Sequence, residues 1–362
     1  MTNQHKRHAG IDLMRIACMF LIVLYHIQGH GGLISSKAIS PANLTLFIIL
    51  QSIFQAAVDG YALISGYVGY HARQRYASLI QLWLRVLFYS VGITAVIWLL
   101  SPAAVSRANI RDSFFPLLKG QYWYFTAYAG CFVLAPLVRA AIAHLSRRES
   151  TICLSSAFLV FSVFPYILRN DPFLTASGNH ALWLLLLYAL GTYIRRFDPF
   201  SKLSVRAISL LLLGACVLQA SAGFILRPLS QLLTGKAVTQ WYFICHDSPT
   251  TLVLAVLMLA LFSRLSFSCS HRFFRLLVSS SFSVYLIHDH PLIRRHIIIP
   301  LGNQLAQLPS LLVIPSAFAC ALIIYLLCTG IDVLREKLFR TLRISELLAR
   351  AESRLCAPPD ES

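Results

Sequence analysis

Three ionisable residues share one face of the first apolar segment. A helix turns about 100° per residue, so the steps from Arg15 to His26 return to within about 20° of one direction. Asp12 lies about 40° from His26 on the same reckoning. The rest of residues 11–27 is mostly Ile, Leu, Met, Phe and Val. At 1.5 Å per residue, Arg15 and His26 stand about 16 Å apart along the axis. Ionisable groups in hydrocarbon are costly and normally face a cavity or a partner. Asp12 and Arg15, an i,i+3 pair, fit an interfacial ion pair that only anchors the helix as well as they fit a site. His26 has no acidic residue within a turn of its own helix. An imidazole titrates near neutral pH, which suits it to exchange a proton in a site. A core histidine bonded to a backbone carbonyl is the alternative.

Further polar residues are embedded in later apolar runs. Asp59 sits mid-run, followed by Ser65-Gly66-Tyr67. Its carboxylate needs a partner, and Arg15 and His26 are the expected ones. Ser65-Gly66-Tyr67 reads first as close helix packing, since small residues let backbones approach. Arg85 follows Leu79-Ile80-Gln81-Leu82-Trp83-Leu84. It either snorkels to lipid headgroups or faces an anionic ligand, and Arg73 and Arg75 on the preceding loop suit phosphates. Positive-inside bias alone also accounts for that loop. Trp123 and Tyr124, in Gln121-Tyr122-Trp123-Tyr124-Phe125, form either an interface belt or a platform on which a sugar stacks. Ser283-Val284-Tyr285-Leu286-Ile287-His288-Asp289-His290 carries a second histidine. His288 lies about 18 Å above Leu276, a depth comparable to that of His26.

The elements that position these residues are apolar helices. The chain of 362 residues is 57% hydrophobic and only 12% charged, with a mean hydropathy of +0.68. A soluble domain carries about 25% charged residues, so too little polar surface remains to cover a water-soluble body. The pattern predicts an all-α polytopic membrane protein with about ten transmembrane helices. The predicted spans are roughly 10–29, 44–70, 78–101, 122–143, 151–168, 181–194, 207–226, 249–263, 276–290 and 311–332. The net charge of +17 does not read as nucleic-acid binding, because Lys and Arg cluster at segment ends rather than in one patch. With the N-terminus in the cytoplasm, inner segments hold roughly twice as many Lys and Arg as outer ones, which places both termini in the cytoplasm. The first segment resembles a signal peptide, but Asp12 and Arg15 interrupt it and no small-x-small site follows, so it reads as an uncleaved helix. The nine cysteines form no CxxC pair and no disulfide framework, and no metal site is expected. No internal repeat supports an inverted-repeat transporter.

Several of these segments together resemble the acyltransferase-3 family of membrane acyltransferases. They are Gly10-Ile11-Asp12-Leu13-Met14-Arg15-Ile16-Ala17 through His26, Val58-Asp59-Gly60-Tyr61-Ala62-Leu63-Ile64-Ser65-Gly66-Tyr67, Tyr122-Trp123-Tyr124 with Pro136, Leu190-Gly191-Thr192-Tyr193-Ile194-Arg195, and Ser283 through His288. The resemblance runs from about residue 8 to residue 330. It implies a ten-helix domain, here 1–335, followed by a basic cytoplasmic tail, 336–362. It also implies transfer of an acetyl or related acyl group from cytoplasmic acyl-CoA. The acceptor is a hydroxyl of a cell-surface polysaccharide or its lipid-linked precursor, at the bacterial inner membrane. Within the family pattern His26 and Arg15 are the key pair. Two basic residues three apart often open the third helix; Arg85 matches the second, but Leu82 stands at the first. No hydrolase-like C-terminal domain is seen, and the fourth and sixth helices look most like those of single-domain exopolysaccharide acetylases.

The mechanism expected from residues and resemblance together has Arg85, Arg73 and Arg75 contacting CoA phosphates. The acceptor lies near Trp123, Tyr124, Tyr67 and Ser65. His26 acts as base or transient acyl carrier, Arg15 or His288 stabilises the oxyanion, and Asp59 orients His26. Acetyl-CoA, the glycan acceptor and membrane lipids are the expected partners; nucleic acid is not. A polytopic transporter or glycan flippase is the alternative class, and a small-molecule or protein acyltransferase the alternative acceptor.

Overall fold

A computed structural model describes residues 8–72, 75–168, 170–237, 244–268 and 271–355. Among the described residues all regular structure is helical. The first half comprises α1 (Ala9–Gln28), α2 (Pro41–Phe54), α3 (Ala56–Gly69), α4 (Tyr76–Leu100), α5 (Arg107–Phe114), α6 (Trp123–His144), α7 (Arg147–Phe158) and α8 (Phe164–Leu168). The second comprises α9 (Ala181–Phe197), α10 (Val205–Thr234), α11 (Pro249–Phe262), α12 (Arg272–His288), α13 (Pro291–Ile293), α14 (Ile299–Leu305), α15 (Ser310–Thr341) and α16 (Ile344–Leu355). π-helical turns join α7 to α8 (Leu159–Val163) and α13 to α14 (Arg294–Ile298).

Local sequence explains where the helices begin. Ser40 caps α2 by accepting from the Asn43 N–H, and Pro41 follows at the first helical position, where its missing N–H is no loss. Ser106 with Asn109, and Ser146 with Glu149, form capping boxes at α5 and α7.

Among the described residues, seven helical stretches are long and apolar enough to cross a membrane: α1, α2 with α3 as one stretch, α4, α6, α7 through α8, α10 and α15. The other three predicted spans form α9, α11 and α12, of 17, 14 and 17 residues. At about 1.5 Å per residue they run some 21–26 Å, short of a bilayer core of about 30 Å. Leu184, Leu187, Leu254, Ala255, Leu259, Val284 and Leu286 on these three are buried by other helices. By contrast, Leu210, Leu213, Val217 and Leu218 on α10 and Leu322, Ile323 and Leu327 on α15 face outward, as lipid-facing positions do. The expected division at 335/336 does not fall at a break in structure: α15 continues to Thr341, and α16 then packs against α4.

The centre of the molecule is α1. Its Met14, Cys18, Val23, Leu24 and Ile27 are fully buried, and it packs on α3, α12, α15, α11 and α2. Two glycines let α3 and α9 approach closely. A Cβ on Gly66 of α3 would lie 2.0 Å from the Tyr188 carbonyl oxygen of α9, and one on Gly191 of α9 would lie 2.2 Å from the Leu63 carbonyl oxygen of α3. Only hydrogen fits at either place.

Candidate active site

His26 stands in the last turn of α1 and His288 ends α12, so the packing of these two helices brings together residues far apart in the chain. Both side chains are buried, and His26 Nδ1 lies 2.9 Å from His288 Nε2. The other His288 nitrogen, Nδ1, lies 2.6 Å from the Val284 carbonyl oxygen one turn earlier. A carbonyl can only accept, so neutral His288 carries its proton on Nδ1 and presents a bare Nε2. His26 Nδ1–H must then donate to that Nε2, which leaves the lone pair of His26 on its own Nε2. The expectation that the two histidines share a depth is met as direct contact. The His26 ring is thus oriented by a second histidine rather than by Asp59.

A carboxylate is nevertheless close. Asp289, the residue after α12, accepts from His30 Nδ1 at 2.9 Å and lies 3.6 Å from His26 Nδ1 and 3.7 Å from an Arg294 nitrogen. His30 is one helical turn beyond His26 and stacks on it, with ring centroids 4.5 Å apart. Arg294 opens the π-helical turn beyond Asp289. A negative charge is therefore held beside the base by a neighbouring histidine and an arginine. His26, His30 and Asp289 each offer one ligand atom, all within 4.8 Å of one another. Two short contacts, His30 with Asp289 and His26 with His288, both 2.9 Å, are hydrogen-bond lengths. They are tighter than the roughly 3.3 Å between ligand atoms placed tetrahedrally about 2.0 Å from zinc, so the side chains as arranged fit hydrogen bonding better.

His26 also lines a narrow cavity of about 20 Å³ with Met19, Ile22, Val58, Tyr61, Trp123, Tyr124, Phe282 and Tyr285. Trp123 and Tyr124 come from the first turn of α6, as expected of residues sharing a site with His26. α6 is anchored there by Tyr122, whose hydroxyl donates to the Leu286 carbonyl of α12 at 3.0 Å. The hydroxyls of Tyr124 and Tyr285 are buried and make no hydrogen bond. Buried polar atoms are nearly always paired, and each exception needs an explanation.

Asp59 is the main correction. Its Oδ1 accepts from the Trp183 indole N–H at 3.3 Å and lies 3.7 Å from His246 Nδ1. His246 in turn contacts Gln55 Nε2 at 2.9 Å and lies tilted against Trp123, ring centroids 5.5 Å apart. Asp59 therefore holds His246 and Trp183 rather than His26 or Arg15, because α3 packs chiefly on α9 and also on α11, next to the segment that carries His246. Arg15 pairs with Asp12 at 3.1 Å near the opposite end of α1 from His26, so it is not beside the His26 ring where an oxyanion would form. Tyr67 is corrected as well. Its hydroxyl accepts from Arg195 at 3.2 Å near the end of α9, and the Ser65 hydroxyl donates to the Tyr61 carbonyl of its own helix. Neither joins Trp123 and Tyr124; this motif serves the Gly66–Tyr188 approach.

Of the expected phosphate contacts, Arg73 lies outside the described residues. Arg75 is exposed and sits 3.7 Å from Glu352 of α16. Arg85 is half-buried, with an unpaired Nε, and senses the charges of Arg335, Asp332 and Glu336. Sequence reading missed His30, Asp289, Arg294, Tyr285 and His246 as site residues. The i,i+4 spacing of His26 and His30, and the acid directly after His288, were the available signals; His246 offered none.

A family model described as an acyltransferase domain matches residues 8–330. No curated protein and no solved structure matches the chain. With a buried pair of histidines and an aromatic cavity inside that matched region, the chain belongs to the acyltransferase-3 family and is a membrane acyltransferase.

Proposed function

We propose that this protein is an O-acetyltransferase of the bacterial inner membrane. It moves an acetyl or similar acyl group from cytoplasmic acetyl-CoA to a hydroxyl of a cell-surface polysaccharide or its lipid-linked precursor. The observation that carries this reading is the His26–His288–Val284 chain of hydrogen bonds. It leaves one basic nitrogen on a ring that lines a cavity walled by Trp123 and two unpaired tyrosine hydroxyls.

In this mechanism the acceptor sugar rests against Trp123, which His246 backs from behind. His26 Nε2 takes the proton of the attacking hydroxyl as its oxygen bonds to the thioester carbonyl carbon. The carbonyl oxygen gains charge and accepts hydrogen bonds from the Tyr124 and Tyr285 hydroxyls. When the carbon–sulfur bond breaks, the proton on His26 passes to the departing thiolate, which leaves as free CoA thiol. Asp289 lowers the free energy of the His26 imidazolium between those two transfers, and His288 fixes which ring nitrogen does the work.

His26→Gln tests this directly. Glutamine keeps hydrogen-bonding capacity but is no base near neutral pH. At matched membrane levels and with normal thermal unfolding, the variant should lose about 10²–10⁴ in transfer of labelled acetyl to glycan. A well-folded His26→Gln that keeps most of its transfer sinks the catalytic reading and leaves His26 a packing residue.

A further inference from the structure

α12 connects the cavity to a second feature at its other end. Arg272, Arg275, Leu276, Ser279 and Ser280 of α12, with Asp332, Glu336, Lys337 and Arg340 of α15, line a cleft of about 650 Å³. Arg335 is already committed, donating to Asp332 at 2.8 Å and lying 3.1 Å from Glu336. Arg340 is paired with Glu336 at 3.2 Å. Arg272, Arg275 and Lys337 have no ion-pair partner among the described residues. The cleft also opens at the N-terminus of α12, where His271 supplies no side-chain cap. The first backbone N–H groups of a helix lack intrahelical partners and favour an anion. Three uncommitted cations, an uncapped helix start and two serine hydroxyls thus converge on one space.

We propose that this cleft binds the phosphates of the CoA-type donor, an inference that rests on the acyl-transfer reading above. Distance distinguishes this occupant from a lipid headgroup. Along α12, His288 lies about 20 Å beyond Arg275 and about 12 Å beyond Ser280. A donor held by its phosphates at the cleft therefore needs an extended arm reaching toward His26, and pantetheine is such an arm. The face of α12 carrying Arg275, Leu276, Ser279 and Ser280 continues one turn deeper at Ser283. The Ser283 side chain is buried there, close to Tyr89 and Asp332, and places a hydroxyl on the path of that arm. Arg85, which senses the Asp332 and Glu336 charges of the same cleft, borders the site. The donor thus lies between α12 and α15, with Arg85 at its edge, instead of on the Arg73–Arg75 loop.

The test uses the full chain in phosphatidylcholine nanodiscs, with CoA itself as the calorimetric ligand. Acetyl-CoA and acetyl-pantetheine, which lacks the nucleotide phosphates, serve as donors. Arg275→Gln with Lys337→Gln changes exposed side chains and leaves the buried Asp332–Arg335 pair in place. The double variant should bind CoA about tenfold or more weakly. It should raise the KM for acetyl-CoA more than it lowers kcat, and leave the KM for acetyl-pantetheine unchanged. Unchanged CoA affinity in a variant whose wild type binds CoA and transfers acetyl overturns the cleft and spares the catalytic reading. Unchanged donor binding with an altered dependence on added phosphatidylglycerol assigns the cleft to lipid and also overturns it. A wild type that binds no CoA at all removes the donor reading and the cleft with it.

Discussion

Tyr124→Phe and Tyr285→Phe separate a hydroxyl reserved for the reaction from one that supports the fold. Each hydroxyl is buried and unpaired in the resting protein, a state that costs roughly 1–3 kcal/mol. Phenylalanine deletes that cost while keeping the ring and its edge contacts, among them the 6.4 Å Tyr124–Tyr285 pair and the 6.3 Å approach of Tyr285 to His26. Stability should therefore hold or rise. In the transition state the same hydroxyls donate to developing negative charge. Loss of one oxyanion donor is worth about 2.7–4 kcal/mol, or about 10²–10³ in kcat. The two effects have opposite signs, which a purely structural tyrosine cannot produce. The double variant should fall less than the product of the singles, because donors acting on one oxygen are not independent. The assay is single-turnover acetyl transfer at saturating donor, with thermal unfolding of the same detergent-solubilised samples. Variants that keep kcat within about threefold of wild type, or that lose stability along with rate, refute the oxyanion role.

Two other substitutions bear on the geometry. His288→Phe removes the acceptor of the His26 N–H and should cost about 10²–10³ in kcat, whereas His288→Gln, whose amide oxygen can still accept, should retain clearly more; equal losses would deny the orienting role. Gly66→Ala places a Cβ 2.0 Å from the Tyr188 carbonyl oxygen, an overpacking that should destabilise by about 3 kcal/mol or more, read as a lowered Tm and yield. An unaffected Tm would show that α3 and α9 can separate freely.

Helical geometry made depth legible in the sequence: counting residues along two apolar runs placed His26 and His288 at one level, and they touch. It made azimuth legible only within a single helix. Asp12, Arg15 and His26 do share a face of α1, yet which neighbour that face meets depends on how helices pack against one another. Asp59 was therefore assigned to the wrong histidine, since its partner His246 comes from a segment without helical periodicity. Packing was easier to anticipate where residue size decides it, as at Ser65-Gly66-Tyr67, where the absence of a Cβ is itself the signal. The span count was less readable. α9, α11 and α12 are apolar because protein surrounds them, and a buried helix need not match the bilayer in length. The cleft at α12 and α15 is not legible in the sequence, because Arg272 and Arg275 stand 62 or more residues from Lys337 and each looks like an ordinary positive-inside residue.

The contact between His26 and His288 spans 262 residues, and that separation sets a clock on the protein's birth. A ribosome adding about 5–20 residues per second needs on the order of ten to fifty seconds to pass from one histidine to the other. Throughout that interval α1 is already in the bilayer, but its imidazole has no partner to select a tautomer. On the acyl-transfer reading proposed above, competence arrives late, when α12 enters the bundle and supplies His288, so a nascent chain would not spend acyl donor before the scaffold has closed around the site.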